Sequence, residues 1–145
     1  MKKLVLMLMA AWLMPLAMLA DNETPITVDQ LPADARTFIA TYFADAKVLL
    51  ATVESEVFSK SYDVHFEGGD KLEFDKSGQW TEVSMRQGRV PAELVPEAVS
   101  QWVSAHYPEA GIRKIERDGK ETEVELTNGL EITFDRKYRV IDIDD

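Results

Sequence analysis

The chain has 145 residues, no cysteine and a formal net charge of −10. That length admits one domain, or two small halves sharing a core. The missing cysteine excludes disulfide and thiolate chemistry, and the acidic balance works against nucleic acid and anionic lipid as partners.

In chain order, the first segment to interpret is "MKKLVLMLMAAWLMPLAMLA", residues 1–20. Two lysines, an apolar run broken by Pro15 and small residues before Asp21 are the pattern of a cleavable secretory signal peptide. The competing interpretation is a retained anchor, but Leu4 to Ala20 is 17 residues and proline-interrupted, at the short edge of what spans a bilayer. Cleavage after Ala20 leaves Met18 where a small residue is usual, and cleavage after Ala17 is the alternative. No cysteine follows the apolar run, so a bacterial lipoprotein is excluded. Residues 21–30 are expected to be a flexible N-terminal segment. Without residues 1–20 the charge becomes about −12, from 14 Lys and Arg against 26 Asp and Glu. Such a surface serves solubility, and it also favours basic partners or divalent cations.

"LPADARTFIATYFADAKV" (31–48) aligns with "VPEAVSQWVSAHYPEAGI" (95–112) at an offset of 64. Apolar or aromatic residues at 31, 35, 38, 39, 42 and 43, and at 95, 99, 102, 103, 106 and 107, follow helical spacing. Proline falls at the expected first helical position of each, where its missing N–H costs nothing. The period then changes to two. Tyr62, Val64 and Phe66, like Thr122, Val124 and Leu126, alternate with polar residues as half-buried strands do. Gly68-Gly69 and Asn128-Gly129 are read as two-residue hairpin turns. Return strands carry Leu72 and Phe74, then Ile132 and Phe134. Final strands are expected near 79–85 and 139–143, and weaker ones near Val48–Glu54 and Ile112–Glu116. The strand offset is 60, which places a short insertion at "SEVFSKS" (55–61).

The expectation is therefore an α+β fold of two tandem helix-plus-four-stranded antiparallel units, residues 31–90 and 91–145, with the helices packed on one face of the sheet. One such unit of about 55 residues buries too little apolar area to outweigh chain entropy comfortably, and two can share a continuous sheet or a common core.

With "YDVHFEGGDKLEFDKSGQW" and "VELTNGLEITFD" added to the two helical segments, the chain resembles the PepSY-like family over roughly residues 28–145. Those are exported bacterial proteins related in fold to the beta-lactamase inhibitory protein. The resemblance implies helices against one sheet face, the other face open, no established enzymatic activity, and a periplasmic or secreted location in a Gram-negative envelope. Two departures stand out. "YFADAKV" lacks the proline present in "YPEA", and Tyr138 stands where the first half has a turn glycine, so that turn is expected to differ in geometry.

Catalytic candidates are sparse. His106 falls on the apolar side of a helix, in a core or helix-end role. His65 sits among acids with no oriented partner that would make it a general base, and the serines lack a nucleophile-elbow surround. For metal, "DIDD" (142–145) with Asp135 offers oxygens, but neither EF-hand spacing nor a His/Cys pair is present; no cofactor and no metal are expected. What remains is a noncovalent site for a protein or peptide. If Tyr62, Val64 and Phe66 face the helices, then Asp63, His65, Glu67 and Glu73, with Glu123, Glu125 and Thr133, face outward. Strict alternation about Thr81, Val83 and Met85 places Trp80 outward among them as a binding anchor, against the alternative of a residue closing the rim of the core. The expected function is an exported, non-enzymatic binding module, inhibitory or not, with no stable membrane insertion after signal cleavage. The alternative is an acidic, divalent-cation-binding or stress-related envelope protein.

Overall fold

The computed structural model describes residues 22–145, so the expected signal peptide lies outside the described residues. Nine strands follow one another: β1 (Glu23–Ile26), β2 (Val48–Ser55), β3 (Lys60–Phe66), β4 (Lys71–Asp75), β5 (Trp80–Ser84), β6 (Ile112–Arg117), β7 (Thr122–Leu126), β8 (Glu131–Phe134) and β9 (Val140–Asp144). Two helices, α1 (Ala33–Tyr42) and α2 (Glu97–His106), precede β2 and β6. Each strand pairs antiparallel with its chain neighbour, and together they make one sheet in the order β1 to β9.

This corrects the expected architecture. The chain does not form two helix-plus-four-strand units; it is a single nine-stranded antiparallel sheet with two short helices. The deciding contact is β5 with β6, where Val83 lies opposite Ile115 and Ser84 opposite Lys114. Two separate units would leave both strands as edges with unpaired backbone N–H and C=O groups. Pairing removes those edges and brings Val83 and Ile115, both 0 % exposed, into the middle of one core. The segment expected to be flexible also contributes. Glu23–Ile26 pairs with β2 as an outer strand, which tolerates Pro25 because an edge needs fewer donors.

The helices follow the expected spacing. Ala35 and Ile39 of α1, and Val99 and Val103 of α2, are buried against the sheet. Pro32 and Pro96 sit one residue earlier than expected, as N-caps. Phe38 meets Phe74 edge-on at 5.5 Å, and Trp102 meets Phe134 edge-on at 5.8 Å. Burying Phe66, Phe74 or Phe134 completely stabilises the fold by roughly 1.5–3 kcal/mol each.

The glycine turns hold three residues rather than two. Phe66 N–H donates to the Asp70 carbonyl, and Leu126 N–H to the Leu130 carbonyl. The β4–β5 and β8–β9 turns share a second design. Asp75 Oδ1 accepts the N–H groups of Ser77 and Gln79, and Asp135 Oδ1 accepts those of Lys137 and Arg139. Gly78 has φ +89° and Tyr138 φ +60°. The two turns are therefore alike in geometry, contrary to expectation, because Tyr138 takes up the left-handed conformation that glycine supplies in the first.

Two bulges re-aim the strands after these turns. Phe74 lies opposite Trp80 while Glu73 lies opposite Glu82, so Thr81 is an extra residue in β5. The same happens at Ile141, between Phe134 opposite Val140 and Thr133 opposite Asp142.

Candidate functional site

The helices cover one sheet face. The other carries a row of acids in direct cross-strand register: Asp63 opposite Glu73, Glu73 opposite Glu82, Glu82 opposite Glu116, and Glu116 opposite Glu123. The row continues through Thr133 to Asp142. Beside it runs a mixed row of His65, Lys71, Ser84, Lys114, Glu125 and Glu131. Neighbouring strands lie about 4.8 Å apart, and like charges directly opposite one another destabilise a sheet. An acidic row of this kind therefore needs compensation.

Two lysines supply it. Lys71 Nζ lies 3.7 Å from Glu73 and 3.6 Å from Glu82, and Lys114 Nζ lies 3.2 Å from Glu82 and 2.9 Å from Glu116. Glu82 is 6 % exposed and sits between both ammonium groups. Burial works against charging Lys114, yet hydrogen bonds and charges from Glu116 and Glu82 hold it well above the ordinary lysine value.

Compensation is incomplete at the two ends. Burial raises the Asp63 carboxyl, with Lys71 opposing and Glu23, Glu82 and Glu54 adding to the rise. Burial likewise pushes Glu131 up to about 7, helped by a hydrogen bond and charge from Glu123 and by Glu125, against Lys114. Burial and then Lys71 lower His65, with Glu82 opposing.

Of the residues singled out in the sequence, Asp63, Glu73, Glu123 and Thr133 share the acidic row, and His65 and Glu125 the row beside it. Glu125 is held by Arg113, the bulged residue of β6. Glu67 lies outside both rows, in the turn after β3, 3.8 Å from Lys47. Trp80 is a correction. It is 8 % exposed and lies on the helix face, 6.5 Å from Phe38, because the bulge at Thr81 turns both Trp80 and Val83 inward. It is a core residue, not an outward anchor. Glu82 and Glu116 are not among the residues singled out in the sequence. Counting outward from Val83 finds Glu82, and counting from Ile115 finds Glu116.

Residues 60–142, β3 through most of β9, match the family described as "Putative beta-lactamase-inhibitor-like, PepSY-like". The chain belongs to the PepSY-like family. A periplasmic protein of the DUF2874 family from Bacteroides vulgatus is 53% identical, with TM-score 0.84, over 87% of this chain and 99% of that one. A "putative calcium-regulated periplasmic protein" from Bacteroides thetaiotaomicron is 46% identical, with TM-score 0.83, over 86% and 98%. A periplasmic protein of unknown function from Bacteroides vulgatus is 34% identical, with TM-score 0.80, over 85% and 99%. None of the curated proteins compared with the chain gives a match.

The PepSY-like chain is thus an envelope protein of the periplasmic kind, and these relatives indicate no catalytic family. Among the described residues no helix is long and apolar enough to cross a membrane. No group of three or more His, Asp or Glu among them has the geometry to hold a metal ion. His106, the other imidazole, stacks on Trp102 at 4.0 Å and bonds the Trp102 carbonyl through Nδ1 at 2.8 Å, finishing α2 rather than facing a cleft.

Proposed function

We propose that this PepSY-like protein is a non-enzymatic binding module that holds a basic protein or peptide segment against its outer sheet face. One observation carries this reading: both helices pack on one side, and the opposite side presents aligned carboxylates of which, among the described residues, only Glu73, Glu82 and Glu116 have lysine partners. Asp63 and Glu123, which flank those three, are where added positive charge gains most. A partner with lysine or arginine at alternate positions of an extended strand would meet the face without burying an unpaired charge. If the bound segment belongs to an enzyme's substrate cleft, the outcome is inhibition, which is what the family description carries.

The test is capture from envelope extract at low salt, comparing the native chain with an Asp63→Lys, Glu123→Lys variant of matched stability. Partners retained by the native chain and lost by the variant support the proposal. An identical set from both overturns it.

A second reading, divalent-cation binding, has one support: the description of the Bacteroides thetaiotaomicron relative as calcium-regulated. Lys71 and Lys114 stand where an ion between the central carboxylates would have to sit, so the exposed Asp142 and Asp144 are the better ligands for it. Calcium calorimetry decides between the two. A binding heat abolished by removing residues 142–145 favours the cation.

A further inference from the structure

At one end of the sheet, the turn after β6 and the turn between β8 and β9 enclose a concavity of about 210 Å³ whose character is opposite to the rest of the molecule. Arg117, Lys120 and Arg136 line it, with Glu121 and Asp135 as the acids. Asp135 is already engaged. Its Oδ1 accepts two turn N–H groups, and its Oδ2 pairs with Arg139 at 2.8 Å. That leaves three cations against one uncommitted carboxylate, in a chain where acids outnumber bases by 26 to 16.

Arg117 is held for use. Its guanidinium carbon lies over the Trp80 ring, 3.7 Å from the centroid, and Nε donates to the Trp80 carbonyl at 2.9 Å. Those two contacts restrain the guanidinium and engage only its Nε–H among the five donors. Among the described residues, no carboxylate comes within the 4.0 Å of an ion pair with it. A restrained guanidinium without a carboxylate partner is the fork that takes a carboxylate or phosphate group bidentately.

Tyr138 completes the lining, and its backbone departs from the rule. It holds φ +60°, which L side chains rarely adopt, at the position the matching turn gives to Gly78. Nothing in the turn's hydrogen bonding requires a side chain there. A phenol kept at such a position, beside a free guanidinium, has the character of strain retained at a working site.

We infer that this end of the sheet binds a small oxyanion, a phosphate or carboxylate group. Arg117 is the bidentate donor, Lys120 and Arg136 supply the surrounding charge, and Tyr138 provides a hydroxyl donor and an aromatic wall. The site is separate from the outer-face reading and does not depend on it. Because Arg117 stacks on Trp80, ligation reports directly on that indole.

The experiment titrates the chain lacking residues 1–20 with inorganic phosphate, and separately with N-acetylglycine, in low-chloride buffer. Trp80 fluorescence and calorimetry are the readouts. The expected result is saturable binding of one or both probes, weakened at least about tenfold by Arg117→Gln. Tyr138→Gly is the second variant. It relieves the backbone, so it should melt no lower than the native chain while losing affinity. A preference between the two probes names the oxyanion class. The inference is overturned if neither probe saturates up to high millimolar concentration, or if a folded Arg117→Gln variant binds as tightly as the native chain.

Discussion

Lys114 Nζ lies 3.2 Å from the carboxylate of Glu82, a residue only 6 % exposed. A buried carboxylate beneath a row of other acids is tolerable only while its cations stay in place. Lys114→Ala leaves Glu82 with Lys71 alone and should lower stability by about 2 kcal/mol in urea unfolding. The double variant Lys114→Ala, Glu82→Gln should recover much of that loss, because the uncompensated charge is removed with its partner. Equal losses from the single and double variants would show that Lys114 acts through packing instead.

Glu131 gives the fold a pH dependence of definite sign. Its folded pKa stands at about 7 against an ordinary 4.5, so between those values the folded state binds more protons than the unfolded. Stability from this group is present below about pH 4.5 and falls as pH rises through 7. Glu131→Gln should therefore raise the melting temperature at pH 8 and leave it nearly unchanged at pH 4. Differential scanning fluorimetry of both proteins across that range checks the sign.

Trp80 is expected to behave as a core residue. Trp80→Ala removes an indole packed near Phe38 and beneath Arg117, and should cost about 3–5 kcal/mol. A surface anchor would show a loss within about 0.5 kcal/mol. Thermal unfolding separates the two directly.

Two glycines with nearly the same φ should respond differently to alanine. At Gly78 a Cβ would fall 2.9 Å from Pro32 Cβ and 3.0 Å from Ala35 N, where the turn meets the start of α1. At Gly119, φ +91°, it meets open space. Gly119→Ala should cost only the left-handed strain, about 1–2 kcal/mol. Gly78→Ala should cost clearly more, and paired melting curves make the comparison.

The sequence revealed whatever depended on local periodicity. Tyr62, Val64 and Phe66 alternate, Ala35 and Ile39 recur at helical spacing, and both patterns place the residues where they are found. Two kinds of feature escaped it. The bulge at Thr81 leaves no mark in composition, yet one extra residue reverses the direction of everything before it, which is why strict alternation points Trp80 outward and only the rim-of-core alternative points it inward. The pairing of β5 with β6 joins residues separated by α2, and three opposed pairs carry it. No local pattern announces a contact of that range, so two units were expected where one sheet exists. Of the site, Asp63, Glu73 and Glu123 were visible by alternation. Their alignment into a row, and the lysines threaded between, became apparent only with the register.

The most direct measurement is an amide chemical-shift titration of the labelled chain with an extended peptide of alternating lysine and threonine, at low ionic strength. The account predicts shifts concentrated at Asp63, Glu73, Glu123 and Thr133, fading as salt screens the exposed charges. Shifts confined to α1 and α2, or a spectrum unmoved by millimolar peptide, would contradict it.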